Sequence, residues 1–325
     1  MDLAGSLSFA LTNLTSPPVL AFVLGLIAVA LRTDLRLPDP VYQATSIYLL
    51  LAIGIKGGVA LRKSAPADVA LPIATAILLG VLIPIAAFFL LQWWTRLNRV
   101  NRGAMAAHYG STSLVTFTAA LVLLEESGIP FEGYVTTLLT VLEIPGIVVG
   151  LLLAQRLERG TLGETLREVV FGRSVVLLVG GLLIGVLTGP AGYERVEPFF
   201  GGLFIGVLTL YLLDLGMLTG RHIGAVRQAG PGLVAFAIVF PLLAGSAGAL
   251  AATVIGMSVG GATVLAVLCA SASYIAAPAA VRLALPQATP SITLTSSLGI
   301  TFPFNLIIGI PVYLLIAEAM GSWLG

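Results

Sequence analysis

The sequence predicts an all-α polytopic membrane protein of ten transmembrane helices, arranged as two inverted five-helix repeats. Three observations carry that expectation. Of the 325 residues, 58% are hydrophobic and only 10% charged, with a mean hydropathy of +1.05; soluble domains carry about 25% charge. Apolar segments of membrane length recur along the whole chain. A small-residue motif, Gly110-Ser111-Thr112-Ser113, returns as Ala270-Ser271-Ala272-Ser273, and the same offset carries Ala119 and Ala120 onto Ala279 and Ala280, Pro130 onto Pro290 and Ile147 onto Ile307.

The ten spans fall at about 17–32, 41–61, 69–94, 103–125, 133–156, 172–189, 198–219, 231–257, 261–285 and 292–321. Helices of roughly 20 residues match a hydrocarbon core of about 30 Å, and longer ones tilt or contain a break. Segments of alternating polarity, the mark of a membrane β-barrel, do not occur. A net charge of +1 leaves no electrostatic footprint for nucleic acid. The first residues hold no Lys or Arg, so the first apolar run reads as a retained span rather than a cleaved leader. The single Cys269 excludes an intramolecular disulfide and reads as a small buried filler.

Orientation follows from the loop cations. Arg32, Arg36, the Arg96-to-Arg102 group, the Arg156-to-Arg173 group, Arg221, Arg227 and Arg282 all follow odd-numbered spans. Arg62, Lys63 and Arg195 follow even-numbered ones. The odd-side loops therefore face the cytoplasm, with both termini outside. An odd number of spans per half turns the second half upside down, a frequent plan of secondary transporters. The expected units are residues 1–157 (first repeat), 158–171 (a linker) and 172–325 (second repeat). Within the linker, Leu162, Leu166 and Val169 share one helical face while Glu164, Arg167 and Glu168 lie elsewhere. That pattern predicts a short helix on the cytoplasmic membrane surface.

The fourth span holds His108, Tyr109, Gly110, Ser111, Thr112, Ser113, Thr116 and Thr118; the ninth holds Ser271, Ala272, Ser273, Tyr274 and Pro278. Gly relaxes a helix, Pro frees a carbonyl, and hydroxyls satisfy what is freed. Breaks at the two Ser-x-Ser motifs start two half-helices whose unpaired N–H groups carry partial positive charge. Brought together near the midplane, these ends suit a small anion, with Gly110, Ser111, Thr112, Ser113, Ser271, Ala272 and Ser273 as candidate ligands. Simple packing of hydroxyls between helices is the alternative.

Ionisable residues inside a membrane are costly and so are functional candidates. Glu143, in Leu142-Glu143-Ile144-Pro145, is the strongest, and its counterpart region is Thr301-Phe302-Pro303-Phe304-Asn305. A carboxylate, an amide oxygen and carbonyls freed near the prolines suit Na+, giving Glu143, Thr301 and Asn305 as candidate ligands; a protonated structural acid is the alternative for Glu143. Lys56 and Asp214 occupy near-equivalent positions and read as a mutual ion pair or as headgroup-level charges. His108 reads as a proton relay or as a hydrogen-bonded packing residue, and Glu125, Glu126 and Glu132 as solvated loop acids. His222 is expected in a cytoplasmic loop. No nucleophile–base set, metal spacing or phosphate loop points to an enzyme, and no cofactor is implied.

Tyr109-Gly110-Ser111-Thr112-Ser113, Leu124-Glu125-Glu126-Ser127, Glu143-Ile144-Pro145 and the Pro303-to-Pro311 stretch resemble the sodium-dependent bicarbonate transporter family. The resemblance implies a scaffold domain from spans one, two, six and seven and a core domain from the rest. It also implies a homotrimer in the inner membrane whose core moves as an elevator, carrying bicarbonate with Na+ as the coupling ion. The chain departs from the better-known members in three ways. They carry an acid where this chain has Tyr274, Asp where it has Glu143, and a long insert where its linker is short. That insert belongs to regulation by a signalling protein of nitrogen-regulator type. The expected function is Na+-coupled symport of bicarbonate or a similarly small anion. Na+/H+ exchange at Glu143 and a passive anion channel are the alternatives.

Overall fold

The computed structural model describes residues 15–33, 35–154, 167, 171–226, 230–274 and 276–324. Among these residues every regular element is helical. In chain order they are α1 (Pro17–Ala30), α2 (Asp39–Lys63), α3 (Pro66–Trp94), α4 (Arg99–Gly110), α5 (Leu114–Glu126) and α6 (Val135–Ala154). The second half supplies α7 (Arg173–Glu194), α8 (Phe204–Val226), α9 (Pro231–Val254), α10 (Val259–Ala270) and α11 (Ala276–Ala284). The last helix, α12, opens at Pro290–Leu294, runs through π-helical stretches at Thr295–Thr301 and Asn305–Gly309, and closes as Ile310–Leu324.

Among the described residues, eight helical stretches are long and apolar enough to cross a membrane, counting Arg99–Glu126 across its break; Pro17–Ala30 and Val259–Ala270 are shorter apolar helices. Proline opens α1, α2, α3, α9 and α12, where its missing N–H costs nothing. Side-chain caps start the half-helices. Asn98 accepts from the Asn101 amide at α4, Ser113 from Thr116 at α5, and Ser258 from Gly261 at α10. The helices α4 and α10 are both 12 residues long and sit at the same offset as the Ser-x-Ser motifs they lead into.

The helices pack in two groups. In one, α1 lies along α8 and α2 along α7. Glycine sets these crossings: Gly25 faces Gly216, while Gly54 and Gly58 face Gly181 and Gly185, so closely that a β-carbon on Gly58 would overlap the Leu182 carbonyl. Without water to drive apolar association, such close backbone approach is what holds membrane helices together. In the other group, α3, α4 and α6 pack on one another, as do α9, α10 and α12, with α3 meeting α9 and α5 meeting α10. The groups meet where α8 lies on the first π stretch of α12 and where α6 touches α2 and α7.

Several expectations are corrected. Lys56 and Asp214 do not pair. Lys56 stands 3.7 Å from Glu125 with both side chains about half exposed, whereas buried Asp214 accepts the Leu37 amide at 2.9 Å. The position match put them on related helices, but the loop between α1 and α2 covers Asp214 first. Glu132 is not a solvated loop acid: it accepts the amide of Ser258 at 2.6 Å and its hydroxyl at 3.0 Å, at the positive N-terminal end of α10. His222 lies in α8, which continues past the apolar segment. The expected linker helix falls almost entirely outside the described residues.

Candidate anion site at two crossed helix breaks

The fourth span stops at Gly110, runs extended through Ser111 and Ser113, and restarts at Leu114. The Gly110 carbonyl lies against Gly146 of α6, where a β-carbon would collide with it, and a β-carbon on Gly110 would itself meet Pro84 of α3 and the Gly146 backbone. The ninth span stops at Ala270, with Ser271 extended, and helix returns at Ala276. Both breaks are deeply buried: Ser111, Ser271 and Ser273 are each 1% exposed.

Helix ends buried at this depth must find partners for their orphan groups. Each break supplies them to the other. The Ser273 amide donates to the His108 carbonyl at 2.8 Å, and the Ser113 amide donates to Ser271 Oγ at 2.9 Å. Ser271 Oγ in turn donates to the Leu268 carbonyl, and Asn305 Nδ2 donates to the Ala270 carbonyl at 2.9 Å. His108 Nδ1 bonds the Ala104 carbonyl at 2.8 Å, which makes Nδ1 the protonated nitrogen and leaves Nε2 as an acceptor with no donor. Ser111 Oγ is likewise buried without a partner.

Beside this crossing lies a cavity of about 20 Å³ lined by Thr112, Ser113, Leu114, Leu139, Glu143, Ser273, Tyr274 and Ala276, with Leu50 and Leu178 closing it from α2 and α7. Among the described residues, no Lys, Arg or His lines it. It holds about one water by volume, since a water needs about 10–15 Å³ of such space. Among the described residues, positive character comes from hydroxyl hydrogens and from the starts of α5 and α11, where Leu114 and Ala276 line the cavity. At α5, Ser113 Oγ caps Thr116 and its carbonyl takes the Phe117 amide, and Leu114, the first residue of the helix, lines the cavity.

Of the candidate anion ligands, Thr112, Ser113 and Ser273 face the cavity; Ser271 joins the two breaks instead, and Gly110 abuts Gly146. Glu143 shares that same cavity. The other candidate cation ligands are held elsewhere. Thr301 Oγ1 donates to the Ala237 carbonyl and bonds the Tyr109 hydroxyl, both at 2.7 Å, and Asn305 Oδ1 accepts from Tyr313 at 2.8 Å. Tyr274 also lines the cavity, accepting from Ser113 Oγ at 3.3 Å with its ring edge on Phe302. Its position directly after Ser271-Ala272-Ser273 was the sequence signal. Leu50 and Leu178 gave none, because one apolar helix residue resembles another until the fold shows which face meets the site.

A multi-pass helical membrane protein with a hydroxyl-lined cavity at paired helix breaks has the build of a transport protein. Residues 17–318 match the Na+-dependent bicarbonate transporter superfamily, and the chain belongs to it. No curated protein matches the chain.

Proposed function

We propose that the protein is a secondary active transporter that moves bicarbonate, or a similarly small anion, together with Na+. The observation that carries this reading is the cavity itself, where hydroxyls of Thr112, Ser113 and Ser273 and the open start of α5 face one carboxylate, Glu143. An anion beside an ionised carboxylate is repelled unless a cation stands with them, and this supports co-binding of Na+. Na+ raises anion affinity, and the ratio of affinities with and without Na+ measures the coupling. Glu143 is the first candidate for the cation, with Thr301 and Asn305 as a second group on α12.

The two breaks satisfy each other almost reciprocally, and the α1–α8 and α2–α7 crossings exchange under a swap of halves. Both relations support an inverted repeat of five spans. In that arrangement α1, α2, α7 and α8 form a fixed scaffold and the remaining helices a moving core. The cavity has room for about one water, and two scaffold leucines line it, which supports an elevator-type movement of core past scaffold. A homotrimer in the inner membrane with both termini outside belongs to the same reading, on the family resemblance and the loop cations.

Glu143 as the one acid in the cavity also favours Na+/H+ exchange as a second reading. Protein reconstituted in sealed vesicles decides between them. An inward Na+ gradient is expected to drive saturable uptake of labelled bicarbonate without acidifying the lumen. Lumenal pH change with no bicarbonate uptake supports exchange, and non-saturating flux supports a channel.

A further inference from the structure

Counting hydrogens on the cavity hydroxyls changes which of them can hold an anion. Ser113 Oγ accepts from the Thr116 amide at 3.2 Å and from Thr116 Oγ1 at 2.9 Å, and donates its only hydrogen to Tyr274 at 3.3 Å. A hydroxyl has one hydrogen and two lone pairs, so Ser113 Oγ is saturated and has nothing left for a ligand. The Ser113 amide is committed as well, to Ser271 Oγ. Tyr274, by contrast, accepts from Ser113 and has no acceptor for its own hydroxyl hydrogen among the described residues, and it lines the cavity.

We infer that Tyr274 is the terminal hydrogen-bond donor to the transported anion, fed by a relay that runs Thr116 Oγ1–H to Ser113 Oγ–H to Tyr274 Oη–H. In this arrangement the Ser113 side chain acts through the phenol rather than touching the anion. Each link in a chain of hydroxyls polarises the next, so the last donor is stronger than an isolated phenol. Ser273 supplies a second donor: its Oγ accepts from the Ala277 amide and keeps its hydrogen. The ring is held by its edge contact with Phe302, 5.2 Å between centroids, so the hydroxyl is positioned rather than free to swing. A neutral phenol here adds a donor without adding the negative charge that an acid at this position would place beside Glu143.

This inference rests on the anion-transport reading above, and the test separates the two. Wild-type protein, Tyr274→Phe, Ser113→Ala and the double variant are reconstituted, and bicarbonate uptake is measured at saturating Na+. Tyr274→Phe keeps the ring against Phe302 and removes the hydroxyl, both the donor to the anion and the acceptor of the Ser113 Oγ hydrogen. Its bicarbonate KM is expected to rise by about tenfold or more, as for loss of a bond to a charged group, while the Na+ KM moves by less than about twofold. Ser113→Ala is expected to raise the bicarbonate KM alone but to add little once Tyr274 is Phe. A wild-type bicarbonate KM in Tyr274→Phe overturns the inference, as does a Ser113→Ala effect of equal size in both backgrounds. If Tyr274→Phe does not fold, Thr116→Val breaks the same relay two bonds from the anion: a raised bicarbonate KM supports the relay and an unchanged one overturns it. Absence of Na+-driven bicarbonate uptake by the wild-type protein overturns the transport reading itself.

Discussion

The amide of Ser273 donates to the carbonyl of His108 at 2.8 Å, so a residue in one interrupted span closes the open end of the other. The Ser113 amide and Ser271 Oγ do the converse at 2.9 Å. Neither break can be satisfied alone, because each leaves buried polar groups whose partners lie in the other half of the chain. Stability and site geometry are therefore one problem at this crossing, and substitutions there separate into those that undo the stitch and those that empty the cavity.

Ser271→Ala removes the acceptor of a buried amide and is expected to cost about 1–3 kcal/mol, the penalty of leaving such a group unpaired. Ser273→Ala loses only the bond from the Ala277 amide at a helix start, and is expected to cost about 1 kcal/mol or less. Thermal unfolding in detergent, read beside uptake, distinguishes them. Ser271→Ala lowers both, while Ser273→Ala lowers uptake far more than the melting temperature. Equal melting temperatures for the two variants contradict the stitch.

Gly146→Ala tests the close packing of α6 against Gly110, the last residue of α4. Its β-carbon would overlap the Gly110 carbonyl, a backbone atom that cannot turn aside, so α4 and α6 must separate. Overpacking of this kind costs about 1–3 kcal/mol or more. Gly80→Ala, on α3, meets side-chain carbons of Pro145 and Leu142 at 3.3 and 3.5 Å and is the tolerated control. Folded yield and uptake are expected to fall for Gly146→Ala alone; a well-folded, active Gly146→Ala removes the argument that this contact holds α4 and α6 together at the break.

Much of this was legible in the residues. Apolar length gave the helices, and the Ser-x-Ser echo placed both breaks: glycine and hydroxyl residues also pack membrane helices, but two matched motifs mark more than packing. Charge partners were not legible. Lys56 and Asp214 match in position, yet the chain carries Leu37 over Asp214 and brings Glu125 to Lys56, which no periodicity encodes. The cavity's hydrogen count was hidden for a similar reason: Thr116 looked like one more hydroxyl until its bond to Ser113 showed that it uses up the serine.

The same contrast predicts unequal effects at the charges. Lys56→Met breaks a pair whose partners are 41% and 51% exposed, and is expected to change stability by less than about 1 kcal/mol. Asp214→Ala strands the Leu37 amide and is expected to cost about 1–2 kcal/mol, whereas Asp214→Asn retains an acceptor oxygen and recovers most of that. Chemical or thermal unfolding of the three variants checks the order. A Lys56→Met variant as damaged as Asp214→Ala revives a structural role for the lysine.

Glu143 and Asn305 offer separable tests of where Na+ acts. Glu143→Gln keeps the shape of the side chain and removes the charge from the cavity, so the Na+ KM is expected to rise by about tenfold or more as a charged ligand is lost. Asn305 spends its amide on the Ala270 carbonyl and its oxygen on Tyr313. Asn305→Ala is therefore expected to lower stability and uptake rate more than Na+ affinity. Uptake measured across a Na+ series at fixed bicarbonate reads both. A Na+ KM raised by Asn305→Ala and untouched by Glu143→Gln moves the cation to α12.

Movement of the core past the scaffold is testable through the cavity wall. Leu50 and Leu178 come from α2 and α7, while Ala276 begins α11 on the opposite side. If the core carries the site across, Ala276 must be exposed first to one face of the membrane and then to the other. The chain's native Cys269 is buried, so a thiol introduced at Ala276→Cys reports with little background. A membrane-impermeant thiol reagent is expected to label Ala276→Cys from either face in turn, with the balance between faces shifted by Na+ and bicarbonate together. Those ligands change the balance only if they bind the two end states unequally, which is what coupled transport demands. Labelling from a single face under every ligand condition would contradict the elevator movement while leaving the anion site intact.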